Sequence, residues 1–235
     1  MDASQGYFTK PAAAFVRGAL PDCTIRSWPG GLYGKSLDAL TREEMAEILA
    51  RGQDEGLRIH RFKRTMGLPR VSKVLGILQG IRPAELLDIG SGRGAFLWPL
   101  LDTFPDLAIT ALDRDPQRAR QLQSVRRGGY DSLTAARMSA TALGLAGGSF
   151  DVVTLLEVLE HIPDADAALA EAVRVARRFV VLSVPSREDD NPGHIHLFSR
   201  ESLERMLNHA GAARWSFTYV HGHVIVVARK GGLVI

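Results

Sequence analysis

From Ala84 onward, short β-branched or leucine-rich runs alternate with helical patterns, and this alternation constrains the fold more than any other feature of the chain. The runs predict strands at about 84–89, 107–113, 133–138, 150–156 and 179–184. A helix is predicted near 94–103, and Asp115 caps a second, with Pro116 at its first position, where a missing N–H costs nothing. "PDADAALAEAVRVARR" reads as a third helix, and Ser199 caps a fourth that ends before Gly211. Strands separated in this way run parallel, in a doubly wound α/β sheet with helices on both faces. The last two strand patterns, "RWSFTYV" and "HVIVVARK", are separated only by His221 and Gly222. So short a link cannot cross over, and this pair is therefore an antiparallel hairpin. The expectation is a seven-stranded sheet, mostly parallel, with a C-terminal antiparallel hairpin.

Residues 1–80 read as a separate N-terminal helical and loop segment, and residues 81–235 as the sheet domain. Tyr7 to Tyr33 is loop-rich, with "SWPGGLYG" as a turn cluster. Thr41 and Glu44 fit a capping box for a helix of about 42–52, and a second helical stretch over about 58–80 is broken at Pro69. The segment carries 12 Lys+Arg against 8 Asp+Glu, whereas the remainder carries 17 against 18, so the basic excess lies at this end. It is densest in "LRIHRFKRTMGLPRVSK", with six Lys+Arg and no acid. That stretch reads either as a surface for RNA phosphates or an anionic metabolite, or as a solvated helix face; few aromatics are interleaved, which favours the solvated face. Arginine outnumbers lysine 24 to 5, a bias that suits a bacterial genome. No apolar run approaches the roughly 20 residues that span a bilayer, and the acidic, polar start has no secretory pattern, so the expected location is cytoplasmic. Cys23 is the only cysteine, which excludes an internal disulfide and a cysteine metal cluster.

The chemistry starts at "LLDIGSGRGAF", a buried strand that turns through glycines into a helix. The spacing is Asp88-x-Gly90-x-Gly92-x-Gly94. A dinucleotide fingerprint places its third glycine three residues after the second, and here the interval is two. An acid directly before the first glycine would repel a pyrophosphate. S-adenosylmethionine has no phosphate and carries a sulfonium and an ammonium, so an acidic rim favours it. Asp113 ends the next strand, beside the first loop at the switch point of such a sheet, where it can accept hydrogen bonds from both ribose hydroxyls.

Together, "LLDIGSGRGAF", "ITALDRDP", "GGSFDVVTLLEVLEHIPD" and the terminal hairpin resemble the class I S-adenosylmethionine-dependent methyltransferases over about residues 80–230. The resemblance implies a Rossmann-like sheet of seven strands with the last antiparallel. It implies that Asp88, Gly90, Gly92 and Gly94 line the methionine part of the cofactor, that Asp113 holds the ribose, and that Arg114 lies near the adenine. Where the family often has an acid for the adenine amino group, this chain offers Ser139 and the backbone N–H of Ala140.

Glu157, Glu160 and His161 follow the fourth strand, and His194 and His196 the fifth, so both segments are expected at one cleft. Three readings compete. In the first, Glu157 helps to close the cofactor site and a histidine acts as general base, His161 before His194 and His196; no metal is used. In the second, Glu157, Glu160, His194 and His196 hold a divalent metal, as in the similar small-RNA 2′-O-methyltransferases. In the third, the histidines order a loop. No Asn/Asp-Pro-Pro-aromatic motif follows the fourth strand, which disfavours the amino-adenine DNA methyltransferases, and Cys23 lies outside any catalytic segment. The expected function is methyl transfer to oxygen, nitrogen or carbon of a small molecule, with no membrane partner. An RNA acceptor is the second reading and a non-catalytic cofactor-binding module the third. The N-terminal segment is expected to choose the substrate, with Tyr7, Phe8, Trp28 and Tyr33 either covering the site as a lid or packing onto the core.

Overall fold

The computed structural model describes residues 6–26, 28, 32, 34–64 and 67–231. Seven strands form one sheet: β1 (Glu85–Ile89), β2 (Ala108–Asp113), β3 (Leu133–Arg137), β4 (Phe150–Leu156), β5 (Ala176–Pro185), β6 (Ala212–Val220) and β7 (His223–Lys230). Their order is β3-β2-β1-β4-β5-β7-β6, with the first five parallel and β7 antiparallel to both β5 and β6. The sheet reverses direction of build between β1 and β4, and ligands of such sheets bind at that reversal.

Eight α-helices accompany the sheet among the described residues: α1 (Thr9–Ala19), α2 (Asp22–Arg26), α3 (Arg42–Asp54), α4 (Pro69–Ile81), α5 (Leu97–Thr103), α6 (Pro116–Arg127), α7 (Ala165–Val175) and α8 (Arg200–His209). The caps are the expected ones. Asp115 accepts from the N–H groups of Gln117 and Arg118, Ser199 accepts from Ser202, and Thr41 and Glu44 close a reciprocal capping box. Period-two alternation divides the strands between two cores. Leu86, Ile109 and Val152 face α1, α4, α5 and α6, while Leu87, Ile89, Val153 and Leu155 face α7 and α8.

The N-terminal expectations need correction. Tyr7–Tyr33 is not mainly loop, since α1 and α2 lie within it. Residues 12–16 of α1, an alanine triplet followed by Phe15 and Val16, are buried in the same core as α5 and α6. The packing is close because two glycines allow it: a Cβ on Gly18 would meet the Ser124 carbonyl at 1.9 Å, and one on Gly128 the Ala14 carbonyl at 1.7 Å. The predicted helix over 58–80 is instead a 3-10 turn (Ile59–Phe62) and α4, with Pro69 starting α4 rather than breaking a longer helix. The third predicted helix stops at Val175, and Ala176–Arg178 already belong to β5. Trp28 is buried, and Tyr7 and Phe8 pack against the same core; Tyr33, like most of the turn cluster around it, lies outside the described residues. No helix among the described residues is long and apolar enough to cross a membrane.

Candidate active site

The glycine turn follows β1. Gly90, Gly92 and Gly94 all have positive φ, at 72°, 58° and 83°, where a side chain is strained. The three are not equivalent in space. A Cβ on Gly94 would lie 2.0 Å from the Trp98 ring, whereas one on Gly92 meets only the Gly90 carbonyl, at 3.6 Å. Gly94 is therefore a packing position, and Trp98 fixes the turn further by donating from Nε1 to the Arg93 carbonyl at 3.0 Å.

Three cavities adjoin the turn, and two of them gather predicted cofactor residues. One, of about 530 Å³, is lined by Gly90, Asp113, Arg114, Ser139, Ala140, Glu157 and His161. The other, of about 160 Å³, is lined by Asp88, Gly90, Gly92 and Glu157, with Arg70 and Arg93 from outside the predicted set. The structure thus brings together every predicted cofactor residue except Gly94, whose neighbour Trp98 fills the space it leaves.

Two of these acids do more within the protein than the sequence implied. Asp88 is buried and its carboxylate is occupied, with Thr154 Oγ1 donating to Oδ1 at 2.8 Å and Ser91 Oγ to Oδ2 at 2.7 Å. Burial pushes its carboxyl up to about 6, against the lowering effect of those two hydroxyls. Asp88 therefore shapes the turn through Ser91. Asp113 is also buried; its Oδ2 accepts from Gly92 N and its Oδ1 from Asp115 N, each at 2.9 Å. One carboxylate thus ties the glycine turn to the end of β2, and each oxygen keeps a lone pair for a further donor.

Glu157 holds a left-handed conformation, φ 58°, uncommon for a residue with a side chain. Its carboxylate accepts from Ser183 Oγ at 2.7 Å and faces His223 Nε2 at 3.0 Å, with Arg70 Nε at 3.9 Å. Sequence reasoning missed His223, Ser183 and Arg70. His223 has no motif around it. Only the antiparallel register, which pairs it with Pro185, brings it to the carboxyl end of β5.

The histidines do not converge on one cavity as expected. His161 lines the larger cavity; its Nδ1 donates to the Gly193 carbonyl at 2.7 Å, which leaves Nε2 as the basic nitrogen. His194 stands beside it, ring centroids 4.8 Å apart, between Asp189 at 2.9 Å from Nδ1 and the Asn191 amide at 2.9 Å from Nε2. His196 donates from Nε2 to the Ile162 carbonyl at 3.0 Å and so orders the loop. The set Glu157, Glu160, His194 and His196 is not assembled either, because Glu157 turns toward His223 and His196 toward Ile162. The ligand atoms that do gather, within 4.8 Å of one another, are those of Glu160, His161 and His194.

Glu160 is fully buried and neither carboxylate oxygen receives a hydrogen bond from another residue. Its carboxyl is pushed up to about 8, first by burial and then by the charge of Glu157. The folded protein therefore holds this proton where the unfolded chain releases it near 4.5. The stabilisation is complete below that value and is lost as pH rises through about 8. The melting temperature should fall between pH 6 and pH 8.5. Glu160→Gln should flatten that slope by several degrees, since about 1 kcal/mol moves the melting point by about 2–4 °C at this chain length. Equal slopes for the two proteins in calorimetric scans would show that Glu160 does not titrate in this range.

A family model for a methyltransferase domain matches residues 87–178. The malonyl-[acyl-carrier protein] O-methyltransferase of Geobacter sulfurreducens is 35% identical over 107 residues, 45% of this chain and 40% of that protein. The ubiquinone/menaquinone biosynthesis C-methyltransferase of Methylobacterium nodulans is 33% identical over 138 residues, 56% of this chain and 53% of that one. The chain thus spans about half the length of these relatives or less. Among solved structures, the N-terminal domain of EvdMO1 with SAH bound matches with a TM-score of 0.55 and 18% identity, over 68% of this chain and 81% of that chain; at that identity the likeness is one of fold. The glycine turn, the acid closing β2 and the sheet order agree with the matched domain: residues 87–178 match a methyltransferase domain, and the sheet has the Rossmann-like fold of the solved methyltransferase structures.

Proposed function

We propose that the chain transfers a methyl group from S-adenosylmethionine to an oxygen, nitrogen or carbon of a small-molecule acceptor. The observation that carries the reading is Asp113, which braces Gly92 and lines a cavity of about 530 Å³. That volume is of the order found for small-molecule and cofactor sites. The residues fit the cofactor on three counts. The space above Gly92 is open, the acceptors on Asp113 suit a ribose diol, and Ser139 and Ala140 line the same cavity as Asp113. Bound there, the cofactor would supply an activated methyl on a good leaving group, so the protein's part is chiefly alignment. His161 Nε2 is the group placed to take a proton from an oxygen or nitrogen acceptor. A small acceptor group agrees with the two relatives, one named for a malonyl group on acyl-carrier protein and the other for ubiquinone/menaquinone biosynthesis.

Asp113→Ala tests the reading by calorimetry with S-adenosylhomocysteine. It removes two ribose acceptors, each worth about 1.5–3 kcal/mol as a bond to a charged group, and it releases Gly92 N as well. Affinity should fall at least a hundredfold while the protein stays folded. Unchanged affinity would remove Asp113 from the site.

A further inference from the structure

A third cavity, about 890 Å³, lies on the other side of the glycine turn, between the N-terminal segment and helices α5 and α6. It shares Val71, Arg93 and Ala95 with the small cavity over Gly92, so it borders the proposed cofactor site. Its walls carry six Lys or Arg side chains, Arg58, Arg61, Lys63, Arg64, Arg93 and Arg118, and two carboxylates, Asp102 and Asp115. Both carboxylates are already engaged. Asp102 receives Arg64 at 2.8 Å, and Asp115 caps α6 through two backbone N–H groups. Arg118 lies 3.8 Å from Asp113. Arg58, Arg61, Lys63 and Arg93 are left without an ion pair among the described residues.

The surplus is concentrated. Arg61 is half-buried under the Phe15 ring and faces Arg93 and Arg58; burial, then those two charges, holds its guanidinium below its ordinary range. Arg58, Lys63 and Arg93 are exposed around it, and like charges brought this close repel one another until an anion completes them. We propose that this cavity binds a multiply charged anionic group of the acceptor, phosphate or carboxylate, through Arg58, Arg61 and Arg93. Guanidinium forks match both groups with paired hydrogen bonds. The shape favours a compact anion over a nucleic acid strand. The site is a pocket rather than a stripe, and its aromatic walls are not free platforms for bases, since Phe8 lies under Arg64 at 4.4 Å and Trp98 packs on Phe62 at 4.7 Å.

This inference rests on the methyltransferase reading only in calling the anion part of the acceptor. The test is calorimetric titration of the full chain with pyrophosphate, with citrate and with a single-stranded oligouridylate, each at low salt, beside S-adenosylhomocysteine. One equivalent of pyrophosphate or citrate should bind, and the tighter of the two identifies the anion as phosphate or carboxylate. Arg61→Gln and Arg58→Glu, each checked for its melting temperature, should bind at least tenfold more weakly. Arg200→Gln, remote and paired with Glu204, should bind as the parent does. If neither small anion binds, or if the two cavity variants bind as tightly as the parent, the inference fails. Binding of oligouridylate alone replaces it with an RNA surface. S-adenosylhomocysteine binding without anion binding overturns this inference alone, whereas its absence overturns the methyltransferase reading first.

Discussion

Gly92→Val is expected to abolish S-adenosylhomocysteine binding while the protein remains folded. The reason lies in what surrounds each glycine of the turn. A Cβ on Gly92 meets no protein atom closer than the Gly90 carbonyl at 3.6 Å, so the first side-chain carbon clashes with nothing in the fold. Its cost to the fold is mainly that of a left-handed conformation, about 1–2 kcal/mol for an L-residue and more for a β-branched one. The isopropyl group would stand in the cavity that Asp88, Gly90 and Glu157 line, where the methionine end of the cofactor is proposed to lie. Gly94→Ala is the matching control. Its methyl meets the Trp98 ring at 2.0 Å, so this variant should lose melting temperature first and binding only with the fold. A folded Gly92→Val protein that binds with parental affinity would falsify the placement of the cofactor at this turn.

His161→Ala should lower turnover about 10²–10⁴-fold, the usual contribution of a general base, and leave cofactor affinity nearly intact. The structure separates His161 from the other two candidates. Its Nδ1 is fixed by the Gly193 carbonyl and its ring lines the larger cavity, whereas His196 is bonded to the Ile162 carbonyl and His194 lies between Asp189 and Asn191. His196→Ala should therefore lower the melting temperature, with activity falling only as folded protein is lost. The juxtaposition of Glu160, His161 and His194 supplies the third arm of the measurement. Activity abolished by EDTA and restored by Mn²⁺ would mean that His161 serves as a ligand and not as a base. Parental turnover in His161→Ala would exclude both roles.

Much of the fold was legible because it rests on local rules. Five apolar runs, the caps at Asp115 and Ser199, and the two-residue link at His221–Gly222 are short-range signals, and the strands stand within a few residues of their expected places. The turn from Gly90 to Gly94 and the acid ending β2 were legible for the same reason: positive φ and strand ends leave marks within a few positions. The helix α1 was not. Its stability comes from Gly18 and Gly128 letting two helices touch, a contact between residues more than a hundred positions apart. The roles of the acids also needed the tertiary structure. Asp88 reads as a ligand in sequence, and only the placement of Thr154 and Ser91 turns its oxygens into the fold. Glu157 finds His223 through the register of β5 with β7, and Arg61, one cation in a basic run, becomes part of an unneutralised cavity only when Arg93 arrives from the glycine turn. The sequence by itself determined where the backbone bends and which faces are apolar, because those are properties of neighbouring residues. The tertiary structure decided which charges meet, because Coulomb energy depends on separation in space and on burial, and neither is written along the chain.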